Sequence, residues 1–305
     1  MDVLNRRDFL KGGLVAGTAV LGMSMIGDLA SNSLLKGPGI AEAAGVQPEY
    51  DIYACRYGGP ITRKVAIALW NNGWDQDGQI SYYVWAIKAA NGEVIVVDTG
   101  ASPALGAARK VADYTDPVEV LARIDATADS VTKVVVTHMH WDHVGNIDNY
   151  LKAFPKAKIY VQKREFDFCV KSGIAQRKPV SVLFDHDAIK TVGSLAGSDK
   201  LVIVDGDVNL VPGIDLFLAP GHTLGLQVVR VNTAKGAAIV GSDLAHLFRG
   251  YREDTGSAFI MDMPAWIGSF DKIKPKASID LIFPGHDIQM TDNYPAVAEG
   301  VTKLV

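Results

Sequence analysis

The sequence predicts an α+β domain, and two observations carry that reading. Short apolar runs bounded by Gly, Asn and Asp recur from Tyr50 to Phe283, with helix-like stretches between them, several opening on proline. Four of these runs end in side chains of one chemical kind: the cluster from His138 to His143, then His222, Asp243 and His286. Side chains that leave the ends of strands can be held on one point, because the sheet behind them is rigid.

The chain has 305 residues, a net charge of −4 and a hydrophobic content of 48%. That is ample for a large core. There is no basic excess, so nucleic acid is not an expected partner. Two cysteines, Cys55 and Cys169, are too few for a disulfide framework or a thiolate metal site. A single bridge between them is open to the sequence, but unpaired buried thiols are the expectation.

Residues 1–43 do not read as part of the fold. Asn5-Arg6-Arg7-Asp8-Phe9-Leu10-Lys11 is followed by a mild, Gly- and Ala-rich apolar stretch from Gly12 to about Ile26, and Ala41-Glu42-Ala43 is a small-x-small sequence. The segment resembles a bacterial Tat signal peptide, with cleavage before Ala44. The resemblance implies a protein folded before export, the Tat export machinery as a partner, and a periplasmic destination. Residues 44–305 are then expected to form one domain.

Within that domain Tyr50 to Cys55 and Thr62 to Leu69 read as strands, followed by a turn-rich loop carrying Trp70 and Trp74. Ile80 to Lys88 and Glu93 to Val97 predict a hairpin turned at Asn91-Gly92. Asp98-Thr99-Gly100 follows it. Pro103 to Tyr114 and Pro117 to Ile124 predict helices with proline near the start. Val134 to Thr137 is a buried strand leading into His138-Met139-His140-Trp141-Asp142-His143. Ile147 to Phe154 and Arg164 to Lys171 read as helices around a strand at Lys158 to Val161. Residues 172–200 give mixed signals. Leu201 to Val204, Ile214 to Ala219, Gln227 to Val231 and Ala237 to Val240 read as strands, Pro264 to Ile273 as a helix, and Asp280 to Phe283 as the last core strand. A C-terminal helix is expected from about Tyr294.

The cluster is the informative part. Imidazole and carboxylate together suit zinc or another first-row metal. Five of the chain's seven histidines, His138, His140, His143, His222 and His286, stand at strand ends.

His-x-His-x-Asp-His, then Gly221-His222, Asp243 and Gly285-His286, in this order and with Asp98-Thr99-Gly100 upstream, resembles the signature of the metallo-β-lactamase superfamily. The resemblance covers residues 50–290. It implies an αββα sandwich: two mixed β-sheets packed face to face, helices outside, and a metal site at one edge. It further implies that His138, His140 and His222 hold one metal, that Asp142, His143 and His286 hold a second, and that Asp243 bridges them. The cofactors would be two divalent ions, zinc being the first choice. Asp142 would also handle protons. Asp98 reads either as a residue orienting a ligand or as a turn-capping aspartate.

Within the superfamily the chain looks most like the N-acyl homoserine lactonase group. That likeness implies a hydrolase opening a lactone or similar cyclic ester by attack of hydroxide generated on the metal, with a small-molecule ester or lactone as its partner. Two departures stand out. The lactonases usually carry tyrosine three residues after the bridging Asp, where this chain has His246, as do some organophosphate-hydrolysing relatives. They also often show Gly-His-Thr-Pro-Gly-His, where this chain reads Gly221-His222-Thr223-Leu224-Gly225-Leu226. His246 is therefore a candidate catalytic residue, donating a hydrogen bond to substrate oxygen or shuttling a proton. Trp70, Trp74, Trp141 and Phe248 are candidate walls of an apolar pocket, and His186 reads as a solvated turn. The alternatives are phosphotriester or aryl-ester hydrolysis at the same site and, from a different class, a mononuclear iron dioxygenase. The complete second ligand set argues against the latter.

Overall fold

The structure, a computed structural model, describes residues 34–36 and 47–305. The targeting segment expected over residues 1–43, with its cleavage point, therefore lies outside the described residues except for Leu34–Lys36. Fourteen strands among the described residues form two sheets. They are β1 (Leu34–Lys36), β2 (Tyr50–Lys64), β3 (Asp77–Ala89), β4 (Val94–Val97), β5 (Val131–Val135), β6 (Lys158–Gln162), β7 (Leu201–Asp205), β8 (Val208–Val211), β9 (Ile214–Leu218), β10 (Gln227–Thr233), β11 (Gly236–Ser242), β12 (Ile282–Pro284), β13 (Ala296–Ala298) and β14 (Val301–Lys303). The larger sheet runs β1-β7-β6-β5-β4-β3-β2-β14-β13, and the smaller runs β12-β11-β10-β9-β8.

Both sheets are mixed. In the larger, β4, β5, β6 and β7 pair parallel, while β2, β3 and β4 pair antiparallel. The parallel part is buried on both faces, which is why Val94 to Val97 is apolar at every position rather than alternating. Period-two alternation instead sorts side chains between two cores. Tyr83, Trp85 and Ile87 of β3 face the smaller sheet, meeting Leu216, Val229 and Val240 among others. Val84 and Ala86 face the helices, with Leu121, Ile147 and Val192. On the far side of the smaller sheet, Phe217 and Ile239 pack on Trp266, Phe270 and Ile273 of the helix Met263–Ile273. Helix, sheet, sheet, helix is the order of layers, as the αββα reading requires. No helix among the described residues is long and apolar enough to cross a membrane.

The helix starts follow their sequence signals. Ser102, Asp116 and Asp262 each accept a backbone N–H from the first turn, and each precedes a proline in its helix. The helices are shorter than expected: the first ends at Ala108 and the second at Ala122. The two early strands are one, β2, made irregular near Gly58. Residues 172–200 hold helices at Lys178–Ser181 and His186–Ser194, the latter starting at His186 rather than placing it in a turn. The expected C-terminal helix is absent: β13 and β14 pair there instead, and β14 adds to the edge of β2.

Candidate metal centre

Each candidate ligand leaves the carboxyl end of a strand. β5 delivers His138 and His140, and the short helix Trp141–Val144, with His140 at its N-cap, puts Asp142 and His143 on its first turn. β9 leads to His222, β11 to Asp243, and β12 to His286. β9 and β11 both run antiparallel to β10, and β12 is parallel to β11, so these three ends share one edge of the smaller sheet. The two sheets are tied at that edge by Gln227, whose backbone N–H donates to Thr137 O at 2.9 Å and whose side chain donates to Val136 O at 2.8 Å.

The donor atoms converge. His140 Nδ1 lies 3.1 Å from His138 Nε2 and 3.0 Å from His222 Nε2. Asp243 Oδ2 lies 3.3 Å from His222 Nε2 and 3.8 Å from His138 Nε2. On its other side Asp243 Oδ2 is 3.4 Å from His143 Nε2, and Oδ1 is 3.2 Å from His286 Nε2. Asp142 Oδ2 stands 3.8 Å from His143 Nε2 and 3.6 Å from His286 Nε2. Two groups therefore form, His138–His140–His222–Asp243 and Asp142–His143–His286, with Asp243 against both. A third, overlapping group is Asp243, His246 and His286. In a tetrahedral zinc site with ligand bonds of about 2.0–2.1 Å, donors stand roughly 3.3 Å apart.

A surrounding layer fixes which nitrogen of each ring faces inward. Asp98 Oδ2 lies 2.8 Å from His143 Nδ1, so that N–H donates outward and Nε2 turns to the centre. Asp98 also accepts the Thr137 N–H at 2.7 Å and its hydroxyl at 2.8 Å. Both Asp98 and Ser242 sit at strand ends with positive φ, 65° and 45°. Such left-handed backbone is costly for residues with a Cβ and persists only where the surroundings enforce it. His138 Nδ1 meets Thr137 Oγ1 at 3.0 Å, and His286 Nδ1 donates to Ser81 O at 2.9 Å. Ser257 Oγ donates to Phe259 O at 3.2 Å and so presents a lone pair to His222 Nδ1, 3.0 Å away.

Four further residues support the site; Glu165 and Tyr57 have no motif around them, and Gly225 and Gly285 lie within the Gly-His stretches. Glu165, fully buried, accepts the Met139 N–H on one oxygen and the Gly225 N–H on the other, both at 2.9 Å. It thus staples the His138–His140 turn to the loop after His222. A Cβ on Gly225 would stand 2.2 Å from Glu165 N, so only glycine lets the loop approach this closely. Gly285 does the same for Asp243: a Cβ there would stand 1.9 Å from Oδ1. Tyr57 donates to Asp142 O at 2.8 Å.

The electrostatics are those of a charge-seeking cavity. Burial pushes His138 and His140 well below the ordinary imidazole value, and the neighbouring rings push the same way. Burial also opposes charge on His143 and His286, but Asp243 and Asp142 override it and raise both. Burial alone would raise Asp243, yet the rings of His286, His143 and His246 hold it well below the usual carboxylate range. His143 Nε2, Asp243 Oδ1 and His246 Nε2, all at the cluster, are buried without a hydrogen bond. Inward-turned imidazole nitrogens, two carboxylates and unpaired buried donor atoms fit a divalent cation in each group.

A cavity of about 180 Å³ opens onto the donors, lined by His140, Asp142, His222, Asp243, His246 and His286. Its walls are Ile67, Ile80, Tyr82, Trp141, Leu183 and Phe259, and among the described residues no Lys or Arg lines it. Trp141 is thus a wall, as expected. Trp70 and Trp74 are not: they are 45% and 69% exposed, and Trp70 lines a different groove, with Trp266 and Ile267. Phe248 is buried in the core between the sheets, because its helix turns it toward Phe283. Half of these walls are aliphatic, and apart from Trp141 they come from segments that a search for tryptophans passes over. His246 is brought in as expected, buried, with Nε2 3.2 Å from Asp243 Oδ2. Cys55 and Cys169 are both buried and unpaired.

Comparison with known proteins agrees with this geometry. Residues 3–22 match the twin-arginine translocation pathway signal sequence. An N-acyl homoserine lactonase of Bacillus thuringiensis is 25% identical over 175 residues, which take in 56% of this chain and 62% of that one. The chain thus spans less than two thirds of the length of the curated lactonases it matches. A solved quorum-quenching N-acyl homoserine lactone lactonase superposes with a TM-score of 0.66 at 19% identity, covering 83% of this chain and 98% of its own. A dizinc quorum-quenching lactonase superposes with a TM-score of 0.60 at 22% identity, over 80% and 89%. Residues 76–286 match the metallo-beta-lactamase superfamily, and the chain belongs to that superfamily.

Proposed function

We propose that the protein is an exported, dinuclear metal-dependent hydrolase that opens a neutral lactone or similar ester. The observation that carries this reading is the pair of donor groups that Asp243 touches, at the floor of a cavity with apolar walls and, among the described residues, no Lys or Arg lining it. An acyl-bearing neutral ester would bury its apolar surface against those walls. The likeness to lactonases supports the lactone, and the signal-sequence match supports export by the Tat route to the periplasm.

His138, His140, His222 and Asp243 would hold one ion, and Asp142, His143, His286 and Asp243 the other. The imidazole and carboxylate set favours zinc. Two such ions supply an acidified water and a Lewis acid for the carbonyl oxygen. Asp142, which lines the cavity, would take the proton from the attacking water and return it to the departing alkoxide. His246, beside Asp243 and lining the cavity, would contact the substrate near Phe259, whose ring centroid is 6.3 Å from its own. Water adds across the acyl C–O bond, leaving a carboxylate and an alcohol.

The same neutral cavity takes an aryl ester or phosphotriester, so a substrate panel is the test. Acyl homoserine lactones of graded chain length, γ- and δ-lactones, a paraoxon-like triester and nitrocefin are compared on zinc-loaded protein. The reading expects lactones first, with KM falling as the acyl chain lengthens. Turnover of the triester alone would transfer the function to the second reading, and turnover of none would remove it. Asp142→Asn should abolish the activity found. His246→Ala should lower kcat/KM; an unchanged value would take His246 out of the reaction.

A further inference from the structure

Tyr82 has no part in holding the donors, yet it stands at them. It lies on β3 beside Ser81, whose N–H donates to His286 O at 2.9 Å and whose carbonyl accepts from His286 Nδ1. The isolated bridge between Ile80 and Asp287 continues this pairing. Tyr82 is thereby registered against His286 by backbone, not by a flexible loop. Its ring packs edge-on to His286 at 5.4 Å and against Trp141 at 5.6 Å. It lines the cavity together with Asp142, Asp243 and His286.

The hydroxyl is the informative atom. The neighbouring tyrosines spend theirs on backbone carbonyls: Tyr57 on Asp142 O, Tyr83 on Asp287 O, Tyr114 on Ala101 O. Tyr82 makes no hydrogen bond to any described residue, nor is its oxygen among the sealed, unpaired atoms of the core. The fold therefore leaves one phenol free at a cavity wall while using those around it. A phenol holds its proton at neutral pH, so this free hydroxyl is a donor. Among the cavity-lining residues it is a neutral O–H donor, whereas His246 has Nε2 turned to Asp243.

We propose that Tyr82 is a catalytic residue that donates its phenolic hydrogen to the substrate oxygen on which negative charge grows. This rests on the hydrolase reading and deepens it. A fixed neutral donor costs no reorganisation when charge develops, and in a water-poor cavity it acts more strongly than in solvent. Because it is uncharged, it gains little from the ground-state ester and more from the tetrahedral oxyanion, so its effect falls on kcat rather than KM.

The test is Tyr82→Phe, which keeps the ring against His286 and Trp141 and removes one oxygen. Two quantities are measured on zinc-loaded protein: steady-state kinetics on the best substrate of the panel, and the dissociation constant of methylphosphonate, an anion whose oxygens stand in for the oxyanion. Metal content and melting temperature are recorded for both proteins. The expected result is a kcat lower by about 100-fold, KM changed less than about threefold, methylphosphonate bound roughly tenfold more weakly, and metal content equal to wild type. Unchanged methylphosphonate binding, or a loss accompanied by loss of metal, would overturn the assignment. If no substrate in the panel is turned over by wild type, the hydrolase reading fails by itself, and the methylphosphonate comparison still decides whether Tyr82 binds an oxyanion.

Discussion

Ser257 Oγ lies 3.0 Å from His222 Nδ1, and this contact decides which face of the imidazole meets the donor cluster. The hydroxyl proton is committed to Phe259 O, so the oxygen accepts the Nδ1–H and leaves the Nε2 lone pair inward. The contact also joins a ligand to the segment carrying Phe259, a cavity wall.

Ser257→Ala should therefore weaken zinc binding by roughly 10–100-fold, and Ser257→Thr should restore most of it. Competition with a chromophoric chelator measures this directly. Histidine nitrogen chemical shifts give a second reading, since His222 should lose its single tautomer in the alanine variant. Equal affinity in serine and alanine forms would show that the contact is incidental.

Gly285→Ala addresses Asp243. The added methyl would meet Oδ1 at 1.9 Å, and a contact that short forces one of them to move. Overpacking of this kind costs about 1–3 kcal/mol. More pointedly, it displaces the carboxylate that touches both donor groups. The variant is expected to fold with a lowered melting temperature and to retain less metal than wild type. A variant with full metal content would mean that Asp243 tolerates displacement and does not bridge.

Thiol chemistry gives a prediction away from the site. Burial pushes Cys55 up to about 12, and burial together with the charge of Glu165 raises Cys169 well above the ordinary thiol value. The sign is simple: a raised thiol pKa lowers the thiolate fraction, to roughly one in ten thousand for Cys55 at pH 8. Native protein should leave Ellman's reagent uncoloured at pH 8, and protein in guanidinium without reductant should show two thiols. Fewer than two in guanidinium would reveal a bridge.

Much of the site is legible in the sequence because its donors come in compact motifs at strand ends. His138 to His143 is contiguous, and Gly-His recurs after short apolar runs. Asp98 could be named but not assigned, and the structure shows it both against His143 Nδ1 and accepting the Thr137 N–H. Ser257, Glu165 and Tyr82 could not be found this way. Each is a lone polar residue brought to the centre by tertiary packing, over separations of 35 residues for Ser257 and 60 for Glu165 and Gly225. The C-terminal segment misled for a related reason. Ala296, Ala298 and Glu299 favour a helix locally, but Gly300 turns with φ 70° and β14 finds an open edge on β2. Trp70 and Trp74 misled because aromatic content says nothing about which side of a loop faces the cavity.

The central claim is that the donor atoms form two cation sites joined by Asp243. Metal analysis of the purified protein after gel filtration without chelator, on wild type and Asp243→Ala together, tests it most directly. Wild type should hold about two divalent ions per chain, zinc foremost, and the variant should bind both only weakly. One tightly held iron per chain in wild type, or a variant that still holds two ions, would contradict it.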